Sequence, residues 1–219
     1  RPFIGTELIK VMTGIRRCGK SVMLELIKQE LTESGVSPTQ FISINFEELE
    51  YEELQDYKKL YQYIKDRLAK NKMMYIFLDE IQNVPSYEKV VDSLHVKENI
   101  DIYITGSNSY IFSGQLATYL SGRYIEIPVL PLSFKEIYSP QSNKEEAFQK
   151  YMKTGGFPYI NQIQLDNEQI NMYLEGIYNT VIVKDIEEND IVGGVPAKKI
   201  GVNIEHKLYV NTKNKEEIL

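Results

Sequence analysis

The fold is decided by a glycine-rich stretch near the start of the chain, Gly14-Ile15-Arg16-Arg17-Cys18-Gly19-Lys20-Ser21, which has the spacing G-x-x-x-x-G-K-[ST]. Glycines at these positions let the loop curl, so that successive backbone N–H groups point inward at phosphate oxygens. The lysine supplies a point charge for the β- and γ-phosphates, and the serine hydroxyl can ligate Mg²⁺. The stretch follows a predicted strand that ends at Thr13 and opens a predicted helix, whose N-terminal end attracts anions.

This pattern predicts a phosphate-binding loop, and a simple Gly-rich turn is the alternative. Lys20 is predicted to bind phosphate and to belong to the catalytic residues, and Ser21 is predicted to be a metal ligand. The residues predicted to contact the nucleotide are Gly14, Ile15, Arg16, Arg17, Cys18, Gly19, Lys20, Ser21 and Val22.

A pair of carboxylates follows an apolar run further along the chain. The run Met74–Leu78 is continuously apolar, which is typical of a strand buried on both faces. It delivers Asp79 and Glu80 at its C-terminal end, where open α/β sheets bind ligands. We expect Asp79 to hold Mg²⁺, directly or through water, and Glu80 to orient and polarise the attacking water. The alternative for such a pair is an ordinary helix cap or turn.

Two further sets of polar residues are candidates for the same site. Ser107 and Asn108 follow the run Ile102-Tyr103-Ile104, and either side chain can hydrogen-bond the γ-phosphate or the water; a helix N-cap is the alternative. Arg123 precedes the last predicted strand of the sheet. It is a candidate arginine finger for a neighbouring subunit, and a surface arginine paired with a carboxylate is the alternative.

Short apolar runs alternate with amphipathic stretches over the first 130 residues or so, which predicts an α/β fold with a five-stranded, mainly parallel sheet. One of the predicted helices covers residues 51–70. After Pro131 the pattern becomes helical, and a stripe of apolar residues runs from Ile170 to Val181 through Tyr173, Leu174, Ile177 and Tyr178. We expect this stripe to be a buried core, and a cofactor-binding feature is the alternative. We therefore predict an α/β core that carries the phosphate loop over residues 1–131, a small helical subdomain over 132–185 and an atypical, partly disordered tail over 186–219.

Composition excludes several classes of protein. The chain has 219 residues, a formal net charge of −6 and a single cysteine, so an intrachain disulfide and a cysteine-based zinc cage are both ruled out. An acidic chain is poorly suited to nonspecific binding of nucleic acid. No apolar run is long enough to span a membrane, and no leader is recognisable. We expect a cytoplasmic protein without a membrane partner.

These motifs together resemble a group of prokaryotic AAA+-type ATPases whose phosphate loop reads G-I-R-R-x-G-K-S. The resemblance covers Arg1 to about Asp185 and implies ATP and Mg²⁺ as cofactors, a helical lid, and a phosphate-loop strand beside the Walker B and sensor strands. It also implies a further C-terminal domain, which we expect to be missing from this chain. The other segments that carry it are Leu78–Gln82, Thr105–Ser107, Leu120–Arg123, Leu130–Phe134 and Gly155–Pro158.

The tail departs from that pattern. Residues Ile191–Ile200 resemble the closing segment of hexapeptide-repeat acyltransferases, although no preceding hexapeptide turn is present. A junction of two gene fragments near Val183–Ile186 is one explanation, and a chance Gly-Gly and Pro loop is the other.

The sequence therefore predicts ATP binding and Mg²⁺-dependent ATP hydrolysis. A nucleotide-dependent binding switch with negligible turnover, which regulates a protein or DNA partner, is the alternative. A homo-oligomer is expected if Arg123 acts as a finger, because the finger then serves a neighbouring copy.

Overall fold

The computed structural model describes residues 2–69, 71–106, 120, 122–162, 166–179, 190–193 and 198–202. The chain divides into two compact units, Arg1–Gln164 and Leu165–Leu219. The predicted boundaries of core, lid and tail stay a prediction. Asn108, Ser107 and Val181 lie outside the described residues.

The first unit is built on a five-stranded sheet in which every pairing is parallel. The order across the sheet is β2-β3-β4-β1-β5, and this confirms the predicted α/β class. The strand bounds are β1 Ile9–Thr13, β2 Phe41–Asn45, β3 Met74–Asp79, β4 Ile100–Gly106 and β5 Tyr124–Pro128.

The position of β1 differs from the expectation in one respect. Its neighbours are β4 and β5, so β4 separates it from β3, the strand that carries the two carboxylates. The phosphate loop and the carboxylates are therefore brought together across one intervening strand, and the residues at the C-terminal end of β4 lie between them.

Helices cover both faces of this sheet. On one face, α1 (Lys20–Glu33) buries Leu24 and Leu31 in a cluster with Phe77 and Tyr103, whose rings stack at 4.8 Å between centroids. On the other face, α2 (Tyr57–Arg67) and α3 (Tyr87–His95) pack their apolar residues against the sheet. The central strands β1 and β3 are buried along their whole length, as their apolar composition predicts.

Helix α2 is shorter than the predicted helix over residues 51–70. A 3-10 segment, Leu49–Gln55, precedes it, and Asp56 interrupts the two in an extended conformation. The Asp56 carboxylate accepts hydrogen bonds from the backbone N–H groups of Lys58 (2.8 Å) and Lys59 (3.0 Å). The N-cap position of a helix favours aspartate. The apolar periodicity continues through Asp56 and therefore does not reveal that the helix starts there.

Three more helices follow the sheet within the first unit: α4 Phe134–Ile137, α5 Lys144–Thr154 and α6 Pro158–Gln162. Their connection to the sheet depends on Gly156. Its carbonyl oxygen accepts from the Leu132 N–H at 2.7 Å, and a Cβ at Gly156 would lie 2.0 Å from the Leu132 oxygen. Only glycine fits this contact between two backbone segments.

The second unit contains α7, Asn167–Ile177, and an antiparallel pair of strands, β6 Asp190–Gly193 and β7 Lys198–Val202. Within the predicted apolar stripe, Ile170 and Ile177 are buried, but Tyr178 is 55% exposed. The expectation that the whole stripe is a buried core is therefore wrong at Tyr178.

A buried ion pair lies near the N-terminal ends of the strands. Lys10 and Asp101 are paired with side-chain exposures of 1% and 0%. Asp101 also accepts from the Gly5 N–H (2.8 Å) and the Tyr103 hydroxyl (2.9 Å), and Lys10 donates to the Thr6 carbonyl (2.9 Å). Burial lowers the pKa of Lys10, and Asp101 opposes that shift.

This pair generates a stability prediction. Lys10→Met leaves the Asp101 charge buried without its cation, which is expected to lower the free energy of unfolding by about 3–5 kcal/mol. Urea unfolding followed by circular dichroism measures the loss. Adding Asp101→Asn removes the stranded charge and is expected to restore part of it. A double variant no more stable than Lys10→Met would contradict the charge-pair explanation.

Candidate functional site

The loop after β1 is held close to the segment that follows β5. The Val129 N–H donates to the Thr13 carbonyl at 2.6 Å, and a Cβ at Gly14 would lie 2.2 Å from the Val129 oxygen. It would also lie 2.7 Å from the Cys18 sulfur. Glycine is therefore required at position 14 by close packing, which accounts for the first glycine of the motif.

Lys20 occupies the first turn of α1 and is buried. Its ammonium group donates to the carbonyls of Gly14 (3.1 Å) and Ile15 (3.3 Å). It also lies 3.6 Å from Oε1 of Glu80, which is an ion-pair distance. The structure thus brings together a lysine from the loop after β1 and a carboxylate from the end of β3, as the sequence predicts.

The other predicted loop residues differ in their exposure. Ser21 and Val22 are exposed at the start of α1, and Arg16 and Arg17 are exposed in the loop. Ile15 and Gly19 are half-buried.

Cys18 is buried in the core cluster under α1. Burial raises the pKa of its thiol, and the nearby Lys20 charge only partly opposes this. A raised pKa means less thiolate at neutral pH, so this cysteine has a packing role and low reactivity.

The two carboxylates at the end of β3 are arranged by Thr105, the penultimate residue of β4. Its hydroxyl donates to Asp79 Oδ1 and accepts from the Glu80 N–H at 2.9 Å. The parallel register explains this, because Leu78 pairs with Ile104 and the next residues of both strands are therefore neighbours. Asp79, Glu80 and Thr105 are all buried.

Sequence reasoning missed two residues of this site, Thr105 and Gln82. Thr105 stands in the triplet Thr105–Ser107, but the prediction selected Ser107 and Asn108 instead. Gln82 donates from Nε2 to Glu80 Oε2, and it follows Glu80 by two residues in a 3-10 turn. A polar residue at the end of the strand next to β3 was the available signal for Thr105; Gln82 had no comparable signal.

Arg123 lies away from these groups. Its carbonyl accepts from the N–H of Ile9, the first residue of β1, whereas the phosphate loop follows the last residue of that strand. Its guanidinium forms an ion pair with Asp92 of α3 at 2.6 Å, and both side chains are more than a third exposed. Within its own chain, Arg123 is therefore a surface arginine paired with a carboxylate, which was the alternative to an arginine finger.

The residues of the site suit a magnesium ion. Mg²⁺ prefers oxygen ligands and keeps several waters, and it is usually bound by one or two carboxylates plus the phosphates of a substrate. Asp79 supplies a carboxylate and Ser21 an exposed hydroxyl. No group of three or more His, Cys, Asp or Glu side chains with metal-binding geometry occurs in the described part of the chain, so an all-protein cage is not offered there.

The sheet order and the loop between β1 and α1 define an AAA+-like α/β fold. A family model described as "AAA domain" matches residues 6–138, and the chain belongs to this family. Membership of this family indicates nucleotide binding.

Two curated relatives are similar over most of the chain. An uncharacterized protein of Haemophilus influenzae is 38% identical over 191 residues, which cover 84% of this chain and 47% of that protein. An uncharacterized protein of Methanocaldococcus jannaschii is 32% identical over an alignment of length 225, which covers 93% of this chain and 47% of that protein. The chain spans about half the length of these relatives. The match to the Methanocaldococcus protein leaves only 7% of this chain uncovered, and this part is shorter than the predicted tail, residues 186–219. The match therefore extends into the tail.

Two solved structures are also similar. C. elegans PCH-2 is 14% identical with a TM-score of 0.49, and the match covers 82% of this chain and 56% of that one. Saccharomyces cerevisiae RIF2 is 12% identical with a TM-score of 0.44, and the match covers 81% of this chain and 66% of that one.

Among the helices that the structure describes, none is long and apolar enough to cross a membrane.

Thr105 can be tested through stability. Thr105→Val keeps the shape but leaves the buried Glu80 N–H without its acceptor, and the free energy of unfolding is expected to fall by about 1–3 kcal/mol. Thr105→Ser keeps the hydroxyl and is expected to lose less. Urea unfolding of both variants provides the comparison, and a loss in Thr105→Ser as large as that in Thr105→Val would contradict the hydrogen-bonding role of the hydroxyl.

Proposed function

We propose that the chain binds ATP with Mg²⁺ and hydrolyses it at the site formed by Lys20, Asp79 and Glu80. The observation that carries this is the meeting of the motif lysine with the carboxylate that directly follows β3, since Lys20 Nζ lies 3.6 Å from Glu80 Oε1. A buried ammonium and two buried carboxylates at the C-terminal edge of a parallel sheet suit phosphoryl chemistry. The single buried cysteine fits the reducing cytoplasm.

In this proposal, the loop holds the phosphates through its backbone N–H groups and through Lys20. Ser21 and Asp79 hold Mg²⁺, which when bound neutralises charge on the β- and γ-phosphates. The absence of an N-K-x-D guanine-reading motif favours ATP over GTP.

Glu80 supplies the base. It orients a water and takes one of its protons, while the water oxygen bonds to the γ-phosphorus. The bond from that phosphorus to the bridging oxygen breaks, and ADP and inorganic phosphate are released. The phosphate must first displace Glu80 from Lys20, because the lysine ammonium already contacts two carbonyls and this carboxylate.

Two substitutions test binding and chemistry separately. Lys20→Ala removes the phosphate-binding charge and is expected to weaken ATP binding by about tenfold or more. Glu80→Gln removes the base and is expected to lower turnover by about 10²–10⁴-fold while ATP still binds. Isothermal titration calorimetry and phosphate release give the two quantities.

The exposed pair Lys59 and Glu53 provides matched controls, since these residues form an ion pair at 3.3 Å on the surface. Lys59→Ala and Glu53→Gln make the same chemical changes and are expected to leave affinity and turnover unchanged. Unaltered ATP affinity in Lys20→Ala would exclude the proposed site altogether.

A nucleotide-dependent binding switch, acting on a protein or DNA partner, is the second candidate function. The pairing of Arg123 with Asp92 favours it, because the candidate finger is already engaged by a carboxylate of its own chain. Tight ATP binding by the unmodified chain, together with turnover that is near zero with and without Glu80, would favour this alternative.

If hydrolysis uses Arg123 from a second copy, complementation between variants is expected. Arg123→Ala retains a complete site and Glu80→Gln retains the arginine, so mixing the two inactive proteins should restore turnover. Arg123→Ala alone should lose turnover by about 10³-fold or more without a change in stability, because exposed ion pairs contribute little. Phosphate release over a range of protein concentrations provides the measurement.

Full activity of Arg123→Ala would exclude the finger. Asp92→Asn is the control, because it removes the surface ion pair and keeps the arginine.

A further inference from the structure

The backbone at Glu80 is held in an unusual conformation. Its φ of 52° and ψ of 48° place it in the left-handed region, which is unfavourable for a residue with a side chain. The Glu80 N–H is anchored on the Thr105 hydroxyl at 2.9 Å. Strained residues of this kind persist only where the surroundings fix them, and here the strain directs the side chain back towards Lys20.

Two donors hold the Glu80 carboxylate, and only one of them is also needed by a phosphate. Lys20 lies 3.6 Å from Oε1, and Gln82 donates from Nε2 to Oε2. When a phosphate takes over the Lys20 ammonium, Gln82 is the remaining donor to this carboxylate within the described part of the chain.

The other end of the Gln82 amide shows what determines its orientation. Its Oε1 is buried and has no hydrogen-bond partner among the described residues. An unpaired buried acceptor is unfavourable, but reversing the amide would set its oxygen against the Glu80 carboxylate. The contact with Glu80 therefore dictates how this side chain lies.

The turn that carries Gln82 is itself fixed. It spans Ile81–Asn83, and the Asn83 N–H donates to the Glu80 carbonyl at 3.1 Å while the Val84 N–H donates to the Ile81 carbonyl at 2.9 Å. Ile81 is completely buried in the core. Gln82 is thus a side chain on a rigid turn that reaches back two residues to the proposed base.

We propose that Gln82 is a positioning residue that holds the Glu80 carboxylate in place for the hydrolytic step after a phosphate has taken Lys20. This inference rests on the proposed function and deepens it. It assigns Gln82 to the chemical step rather than to nucleotide binding, since its described contact is with Glu80 and not with the loop. The amide acts through Glu80 and has no direct part in the reaction.

Two variants of Gln82 test this role. Gln82→Met keeps the length of the side chain and removes the donor, and Gln82→Glu keeps the shape but sets a second carboxylate beside Glu80. The first is expected to lower kcat by about ten- to a hundredfold, the range of a hydrogen bond to a charged group. The second is expected to lower it further, because like charges repel at this distance. The Kd for ATP should stay within about twofold in Gln82→Met.

Gln149→Met is the matched control. Gln149 donates to Glu145 at 3.2 Å on the exposed face of α5, so the substitution removes the same kind of bond away from the site. We expect parental kcat, Kd and unfolding temperature for this variant. A loss of kcat in Gln82→Met at parental Kd and unfolding temperature supports positioning, whereas a joint loss of all three would show a merely structural residue and overturn the proposal.

The remaining outcomes separate this inference from the function on which it rests. If the unmodified chain turns over ATP and Gln82→Met does so equally well, the role of Gln82 is refuted and the proposed function stands. If the unmodified chain binds ATP without turnover, both the proposed hydrolysis and the role of Gln82 in hydrolysis are refuted. If Lys20→Ala binds ATP as well as the unmodified chain, the proposed site itself is refuted.

Discussion

The parallel pairing of β3 with β4 is the constraint on which the site depends. Parallel strands end at the same edge of a sheet, so the register that sets Leu78 beside Ile104 also sets Thr105 beside Asp79. One hydroxyl then serves two residues, since it donates to the Asp79 carboxylate and accepts from the Glu80 N–H. A slip of one residue would turn Thr105 to the opposite face of the sheet and separate all three groups.

The same edge receives Lys20 from a strand that does not touch β3. Because β4 lies between β1 and β3, the lysine must reach across it, and the loop that carries the lysine is fixed by contact with the segment after β5. The close approach of Gly14 to Val129 provides that fixation without any side chain. The loop geometry is thus a property of the whole parallel sheet, including the strand furthest from the carboxylates.

Local patterns were sufficient to predict Lys20, Asp79 and Glu80, because loop spacing and a continuously apolar strand are both encoded by neighbouring residues. Thr105 was not predicted, since its role follows from strand register across 26 residues of sequence. The start of α2 was misplaced because apolar periodicity continues through Asp56, whose capping bonds depend on the conformation of a single residue. The partner of Arg123 lies on α3, a contact that only the folded chain creates.

Two buried lysine–carboxylate pairs differ in how completely their carboxylates are satisfied. The Asp101 carboxylate accepts from Lys10, the Gly5 N–H and the Tyr103 hydroxyl. These three donors offset the desolvation cost of its buried charge. Lys20 and Glu80 are separated by 3.6 Å, and Gln82, the other donor to this carboxylate, has an amide oxygen without a partner among the described residues. A pair that is already satisfied gains nothing from a new anion, whereas a loose one can exchange its carboxylate for a phosphate at little cost. The longer separation of the second pair is what the proposed exchange requires, and it occurs at the edge of the sheet that the loop after β1 reaches.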